Sequence, residues 1–215
     1  MKQIVISALL LVSTMYGEAH AQLLKGYGLK AGLTSSNELY DVKGIPNLHT
    51  ERRVGFCIAA FAEWLNMPDV SILTQVEYAQ RGAGWKFVIL QPGPKGFEEV
   101  GSQVYYSRLD VLSVPILLRA SLPLASLRPF ILAGPRLDFI LAYAPADRNP
   151  ISVPYSLFRK TIFGGSVGVG LEFVDVLPVS VVLEFRYNHD FVNSYENPFF
   201  MVRKNAFDFW LGARW

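Results

Sequence analysis

Cysteine and histidine are scarce in this chain, and their scarcity excludes two kinds of site. Cys57 is the one cysteine among 215 residues, so the chain can form neither an intramolecular disulfide nor a site built on several thiolates. Of the three histidines, His20 lies in an N-terminal segment considered below, which leaves His49 and His189. Two histidines are too few for a histidine-rich metal centre. We therefore predict no metal and no cofactor.

Long hydrophobic runs are also missing. Hydrophobic residues make up 51% of the chain, yet they never run for eighteen positions or more. A helix needs about 20 consecutive apolar residues to cross a bilayer, so helical membrane spans are excluded. Apolar residues spread over alternate positions remain compatible with a β-rich soluble domain or with a membrane β-barrel.

Neither sign of charge dominates. Twenty Lys and Arg residues face eighteen Asp and Glu residues, which gives a formal net charge of +2. The basic residues form no stripe or cluster of the kind that nucleic-acid-binding proteins carry. We therefore predict no nucleic-acid partner.

Residues 1–21 have the pattern of a secretory signal peptide. Lys2 supplies a positive start, residues 4–12 form a short apolar run, and Ala19 and Ala21 frame a cleavage site. The apolar run is too short to anchor the chain as a membrane helix. We predict signal peptide 1–21 and one exported domain, 22–215.

The final segment, 204–215, alternates strictly between two faces. One face is wholly apolar and consists of Phe207, Phe209, Leu211, Ala213 and Trp215. Successive strand residues point to opposite sides, so this pattern predicts a strand with one apolar side. In an outer-membrane barrel that side meets lipid, and Trp215 would lie in the aromatic girdle at the interface. We expect this strand to contact the barrel-assembly machinery.

Seven further segments resemble strands, and their connections alternate in length. The eight predicted strands are 25–35, 53–65, 70–82, 104–121, 128–142, 161–173, 179–189 and 204–215. The long connections are 36–52, 81–103, 143–160 and 190–203, and the short ones are 66–69, 122–127 and 174–178. Long outer loops and tight periplasmic turns are typical of outer-membrane barrels. We predict an all-β, eight-stranded, antiparallel, transmembrane up-and-down barrel in a Gram-negative outer membrane, with both termini periplasmic.

The predicted strands separate charge from apolar residues by face. The outward face carries no charge in this assignment, whereas the inward face carries many charged residues of both signs. We interpret these as a structural ion-pair network in the lumen: Lys30, Glu63, Glu77, Arg119, Arg136, Asp138, Glu172, Glu184, Arg186, Asp208 and Arg214. Glycines on this face would make room for large lumen side chains such as Trp210.

Aromatic residues fall near the ends of the predicted strands, where amphipathic rings meet a membrane interface. We assign an interface girdle, with a role in assembly, to Tyr27, Trp64, Tyr78, Tyr143, Tyr187 and Trp215. Two prolines, Pro115 and Pro135, fall inside predicted strands. Each removes a ladder hydrogen bond, so we expect a bulge or a local end of pairing there.

Five segments together resemble the small outer-membrane β-barrel family of Bacteroidetes, labelled PorT-like or porin-family. They are GLKAGLT (28–34), LTQVEYAQRG (73–82), LSVPILLR (112–119), PFILAGP (129–135) and GGSVGVGLE (164–172). Their order and spacing, followed by the terminal aromatic strand, carry the resemblance. It implies an outer-membrane barrel in which both prolines are ordinary, and it implies no molecular activity.

Candidate catalytic patterns are weak. The glycine-rich segment 164–170 lacks both the dinucleotide fingerprint and the Gly-Lys-Ser/Thr of a phosphate loop. His189 and Asp190 lie close to Ser194, but adjacency in sequence does not establish a catalytic triad. Paired carboxylates such as Glu172 and Glu184 share their face with arginines, which favours structural pairing. We predict that the protein is not an enzyme.

The expected function is therefore that of an outer-membrane barrel with a side-chain-filled lumen and a structural or interaction role. Its partners would be membrane lipid, the assembly machinery and a protein bound at the outer loops. Two alternatives stay open: a narrow porin-like channel for small solutes, and an accessory component of a secretion system.

Overall fold

Most of the described chain forms β-strands, because apolar and polar residues alternate along it. The computed structural model describes residues 23–42, 45–48, 50–65, 67–93, 96–145, 159–174, 178–196 and 200–215. The predicted signal peptide, 1–21, lies outside them. The strands are β1 (Leu24–Val42), β2 (Ile45–Leu48), β3 (Glu51–Trp64), β4 (Val70–Arg81), β5 (Ala83–Gly93), β6 (Gly96–Tyr106), β7 (Arg108–Ser121), β8 (Leu127–Ala144), β9 (Thr161–Phe173), β10 (Ser180–Asp190), β11 (Tyr195–Glu196) and β12 (Phe200–Arg214).

Eight of these strands close into a ring. The antiparallel order is β1-β12-β10-β9-β8-β7-β4-β3, and β3 pairs back onto β1. On one side β1 pairs with β12, beginning with Gly28 opposite Arg214. On its other side β1 pairs with β3, for example Tyr27 opposite Ala62. The predicted eight-stranded antiparallel barrel is therefore confirmed.

The two ends of the barrel differ. The turn end holds the short connections 65–69, 122–126 and 174–179 together with Trp215, and the loop end holds the longer connections. Three predicted loops contain strands. Loop 36–52 contains the end of β1 and all of β2, and loop 190–203 contains β11 and the start of β12. Loop 81–103 contains β5 and most of β6. These strands form a hairpin, here called the ribbon, that joins the barrel through two residue pairs between β3 and β5.

The predicted strand 104–121 is wrong at its start for the same reason. Val104, Tyr105 and Tyr106 belong to β6. Ser107 lies between β6 and β7 and belongs to neither strand. Gly82 marks the other side of this junction. Its φ of 149° favours glycine, and a Cβ atom there would lie 2.1 Å from the carbonyl oxygen of Ser107.

The faces of the barrel strands follow the predicted alternation. On β1, for example, Leu29 is 59% exposed on the outside, whereas its neighbour Lys30 is 4% exposed on the inside. The outward residues of all eight barrel strands form an apolar belt. Among the described residues, no helix is long and apolar enough to cross a membrane.

The two prolines interrupt pairing without a bulge. On β7 the pairing with β4 stops at Ile116 and resumes at Ser113, and the register is unchanged. Pairing of β7 with β8 likewise stops at Pro115, opposite Arg136, and resumes at Leu118, so that Pro135 is skipped. The bulge in this pair lies instead between Asp110 and Val111. Of the two expected outcomes, the local break in pairing is the one observed.

Candidate functional site in the barrel interior

All eleven residues predicted for the lumen lie on the inner face of the barrel. Ten of them are buried and Arg214 is half-buried at the turn end. Their contacts divide them into three layers along the barrel, here called the turn-end, middle and loop-end layers. An apolar layer separates the first two.

The turn-end layer joins two arginines to two glutamates. Arg214 reaches both carboxylates, with its Nε 2.8 Å from Glu63 Oε2 and its Nη1 2.9 Å from Glu172 Oε1. Arg119 also reaches both, since it donates to Glu172 and lies 3.4 Å from Glu63. The Ser71 hydroxyl donates to Glu63 at 2.6 Å. Each of these four charges therefore has at least two opposite charges beside it.

An apolar plug lies above the turn-end layer. It consists of Phe61, Leu73, Leu117, Phe130, Leu132 and Val182, all buried and in mutual contact. The Arg119 guanidinium lies 4.1 Å from the centre of the Phe130 ring. On the other side, Lys30 Nζ lies 4.8 Å from the centre of the Phe61 ring. The plug therefore touches the charged layers on both of its sides.

The middle layer is centred on Arg186. This guanidinium donates to Glu77 and Glu184, and also to the Gln75 side-chain oxygen at 2.9 Å. Glu184 accepts a second charged donor, the ammonium of Lys30. All the charged groups here are almost fully buried, so the layer depends on mutual pairing rather than on water.

The loop-end layer joins two arginines to three aspartates. Asp138 lies between the arginines, 2.9 Å from Arg81 Nη1 and 2.8 Å from Arg136 Nε. Arg136 also donates to Asp190 at 2.6 Å. Arg81 Nη2 lies 3.7 Å from Asp208.

Three members of the network were missed from the sequence. Arg81 and Asp190 fell at the ends of predicted strands and were assigned to loops. A signal was available, because Arg81 continues the inward series of Glu77 on β4, and Asp190 continues that of Arg186 on β10. The third is Lys25, whose Nζ lies 3.6 Å from Glu63.

A cap of aromatic and apolar side chains covers part of the loop end. It consists of Tyr40, Trp85 and Val202, with Phe87 and Tyr195 packed against them. The Tyr40 and Trp85 rings meet edge to face, 4.8 Å apart. Burial, together with nearby Glu38, raises the pKa of the Tyr40 hydroxyl, which donates to Glu38 at 2.6 Å. Because Trp85 belongs to β5, the cap links the ribbon to the barrel.

Glycines on the inner face give room to phenylalanine rings of the plug. A Cβ atom at Gly170 would lie 2.2 Å from the Phe130 ring, and one at Gly28 would lie 2.5 Å from the Phe61 ring. From the sequence we expect inner-face glycines to make room for large lumen side chains such as Trp210. At Gly170 and Gly28 the side chains that take this room are Phe130 and Phe61 instead.

Most of the predicted girdle residues lie on the outer face. At the turn end the Tyr27 and Trp215 rings stack with centres 6.2 Å apart, and Trp64 is exposed nearby on β3. Towards the loop end, Tyr78 contacts Phe56, and Tyr187 lies 5.0 Å from Phe207. Tyr143 is different.

Tyr143 packs on the inside, against the buried cluster that contains Leu109 and Ile140. The bulge in the β7–β8 pair explains the difference. Asp110 lies opposite Ala142 but Val111 lies opposite Ile140, so β8 carries an extra residue there. The extra residue reverses the alternation beyond it and turns Tyr143 inward.

The residues considered for catalysis lie on different faces. His189 contacts Tyr187 and Phe191 on the outer side of β10. The Ser194 hydroxyl lies 3.5 Å from Asp190, which points inward. Within the part of the chain that the structure describes, no group of three or more His, Cys, Asp or Glu side chains could hold a metal ion.

Comparisons with known proteins agree with this architecture. A family model described as an outer membrane protein β-barrel domain matches residues 21–196. The crystal structure of the outer membrane protein OprG from Pseudomonas aeruginosa matches with a TM-score of 0.50 and 6% identity, over 90% of this chain and 97% of that one. At this identity the likeness concerns the fold alone.

Two further solved structures match less well. Ail, the attachment invasion locus protein of Yersinia pestis, has a TM-score of 0.42 and 13% identity, over 88% of this chain and 98% of that one. The outer membrane protease OmpT from Escherichia coli has a TM-score of 0.42 and 12% identity, over 89% and 96%. No curated protein matches the sequence.

Proposed function

The chain belongs to the family of outer membrane protein β-barrel domains, and from this premise we propose that it is a closed barrel that presents its loop end to a protein partner. Its place is the outer membrane. The apolar belt faces lipid, the filled interior stabilises the fold, and the ribbon forms the contact surface.

The filled interior is the observation that carries this proposal. An eight-stranded barrel has an interior only just wide enough for side chains to fill. Here three layers of paired charge and one apolar plug occupy it in succession. A passing ion would have to separate buried ion pairs, which leaves charges stranded in a poorly solvated space.

The proposed orientation places the loop end outside the cell and both termini in the periplasm. Outer-membrane barrels have short periplasmic turns and longer extracellular loops. The turn end of this barrel has the short connections, and both Leu24 and Trp215 lie there. In this orientation β12 is available to the assembly machinery from the periplasmic side.

The ribbon has the surface properties of a protein contact site. Its exposed apolar side chains include Leu90, Phe97 and Val100, of which Phe97 is 75% exposed. In the described sheet β6 is the last strand in the order, so its outer edge has no neighbouring strand. Exposed apolar groups and a free strand edge are features that a protein partner covers.

We propose a non-catalytic role for the same surface. His189 lies on the outer side, against Tyr187 and Phe191, whereas the Ser194 hydroxyl is beside the buried Asp190. This placement favours binding over a serine–histidine mechanism.

Planar-bilayer recording of the purified, refolded protein tests the closed lumen. We expect no steady conductance, because no water column passes the apolar plug. Stable and reproducible channels in the wild type would overturn the proposal and favour the porin-like alternative. A variant with both Phe61 and Phe130 changed to alanine provides the comparison, since it thins the plug and should leak more than the wild type.

Photo-crosslinking in intact cells tests the partner. A photoreactive residue at position 97 should give a defined protein adduct, whereas the same residue at position 118, on the outward face of β7, should give none. Absence of an adduct at position 97 would count against the interaction role. A stoichiometric partner belonging to a secretion apparatus would favour the accessory alternative.

A further inference from the structure

Arg52 is an arginine on the outer face of the barrel, at the loop end of β3. It lies on the same face as Val54, which is 64% exposed in the apolar belt. Its guanidinium reaches across β1 to β12 and forms hydrogen bonds with residues of both strands. Nε donates to Ser35 Oγ at 3.0 Å, Nη1 donates to Asn205 Oδ1 at 3.1 Å, and Nη2 donates to the Ser35 carbonyl oxygen.

Within the described part of the chain, Arg52 lacks the carboxylate partner that the buried lumen arginines and Arg108 have. Each buried lumen arginine has a carboxylate within 4.0 Å, and outward Arg108 pairs with Asp110 at 3.4 Å. Across the described residues, no carboxylate oxygen lies within 4.0 Å of the Arg52 guanidinium. The three hydrogen bonds use three of five N–H donors, and two remain for an acceptor from outside.

The rings around Arg52 place it at the height of a membrane interface. Its Cζ lies 4.7 Å from the centre of the Phe207 ring. Phe207 belongs to an outward row of aromatic side chains with neighbouring centres 5.0 to 6.2 Å apart: Phe185, Phe207, Tyr187, His189, Phe191 and Phe163. Beside Arg52 the outward face changes from apolar to polar, from Leu33 to Ser35 on β1 and from Phe207 to Asn205 on β12, as it does at the edge of the lipid-facing band of a barrel.

A second cation lies on the same face. Arg203 on β12 is exposed, two residues beyond Asn205 and further from the apolar belt. Its Nε donates to Asn193 Oδ1 at 2.9 Å, so this side chain is also oriented. Positive charge therefore lies at the edge of the apolar belt and immediately beyond it, on the side where headgroups would lie.

We propose that Arg52, with Arg203, binds a phosphate group of the phosphorylated glycolipid in the outer leaflet. The inference rests on the proposed orientation of the barrel, which brings the loop end to that leaflet. A guanidinium offers paired N–H donors that match phosphate oxygens. The rings of Phe185 and Phe207, nearer the middle of the belt, would contact the acyl chains of the same lipid.

Native mass spectrometry of the full-length protein in a neutral detergent tests this site. The probes are diphosphorylated lipid A, the same lipid without its phosphates, and phosphatidylglycerol. We expect the wild type to retain diphosphorylated lipid A, and R52Q to weaken its binding roughly tenfold or more, as for loss of charge-assisted hydrogen bonds. R52K keeps the charge but loses the fork, and should bind at an intermediate level.

Arg108 supplies the matched control. It is also an outward arginine at the loop end, but it already has Asp110 as its partner, so R108Q should bind as the wild type does. Equal retention by wild type and R52Q, or equal binding of the dephosphorylated lipid, would overturn the proposal. Phosphatidylglycerol binding as tightly as lipid A would overturn the assignment to the outer-leaflet glycolipid.

Three further measurements separate failure of this site from other failures. The heat-dependent gel mobility of each variant shows whether it has folded, and N205A removes one hydrogen bond to Arg52 while keeping the cation. It should bind more weakly than the wild type if positioning matters, and unchanged binding would count against a built site. Labelling of Lys86 in intact cells tests the orientation independently of lipid binding.

Discussion

Single charged residues stabilise this barrel because each one pairs with buried charges of the opposite sign. Two charges taken out of water are costly to bury, and removing one of them leaves the other without compensation. Glu184 is one such case, because it accepts from both Lys30 and Arg186 in the middle layer. Loss of this one carboxylate affects two buried cations.

We therefore expect Glu184→Ala to lower the free energy of unfolding by about 3–5 kcal/mol. The measurement is urea unfolding of the refolded protein in lipid vesicles, followed by tryptophan fluorescence. Arg108→Ala is the control, because Arg108 is half-exposed on the outer face and its pair with Asp110 should contribute about 1 kcal/mol or less. Equal effects of the two changes would contradict the account of the interior. Neither variant should open a conducting pore.

Single residues also determine how tightly the barrel interior is packed. Gly170→Ala would place a methyl group against the Phe130 ring, so we expect a loss of roughly 1–3 kcal/mol from overpacking. Gly101→Ala in the ribbon is the matched change, because a Cβ atom there meets nothing within 4 Å. The same urea series compares them. A stable Gly170→Ala variant would mean that the plug adapts more easily than its close contacts indicate.

The inward and outward faces could be predicted from the sequence because strand side chains alternate strictly. This rule fails where an extra residue enters a strand, and Tyr143 shows it. The bulge beside Asp110 has no signature in the sequence, yet it turns Tyr143 from the predicted outer girdle to the interior. Arg81 shows a second limit, because a strand end is poorly defined by pattern alone.

At the scale of elements, the ribbon is the part that the sequence did not reveal. A strand with one buried face shows alternating burial, but β6 is exposed along most of its length on both faces. No alternation marks it, and the prolines and glycines near its tip, at Pro92 and Gly96, favoured a loop. Its connection to the barrel depends on few contacts, chiefly Trp85 in the cap.

Trp85→Ala should therefore release the ribbon without unfolding the barrel. We expect faster proteolytic cleavage within 86–104 and an unchanged barrel fragment by mass spectrometry, because the eight closed strands do not depend on this ring. Phe97→Ala, at an exposed position in the same ribbon, should be cleaved at the wild-type rate. Equal protection of all three proteins would show that the cap does not hold the ribbon.

At the scale of the whole molecule, the barrel is closed because each of its eight strands pairs with a neighbour on both sides. Trp215 contributes at the seam, where its backbone exchanges hydrogen bonds with Tyr27 at 2.9 and 3.2 Å and its ring stacks on the Tyr27 ring. The aromatic alternation of the last strand made this seam predictable from the sequence. The partners of the lumen charges were not predictable, because they depend on distances across the barrel.

The closed form should resist detergent until it is heated. We expect unboiled wild type to migrate differently from boiled protein in a dodecyl sulfate gel, and to fractionate with outer membranes. Trp215→Ala should lower the fraction of the heat-sensitive form, whereas Leu118→Ala, on the outward face of β7, should leave it unchanged. Recovery of the wild type as a soluble species with one mobility would contradict the membrane assignment.

The seam between β1 and β12 also bears on how the barrel assembles. Each charged layer takes at least one member from these two strands: Arg214 and Lys25 at the turn end, Lys30 in the middle and Asp208 at the loop end. A sheet that is formed but still open at this seam leaves all three layers short of one partner. Partly closed barrels are therefore disfavoured because contacts are missing in all three charged layers. Joining the first strand to the last restores these contacts together, which makes folding cooperative.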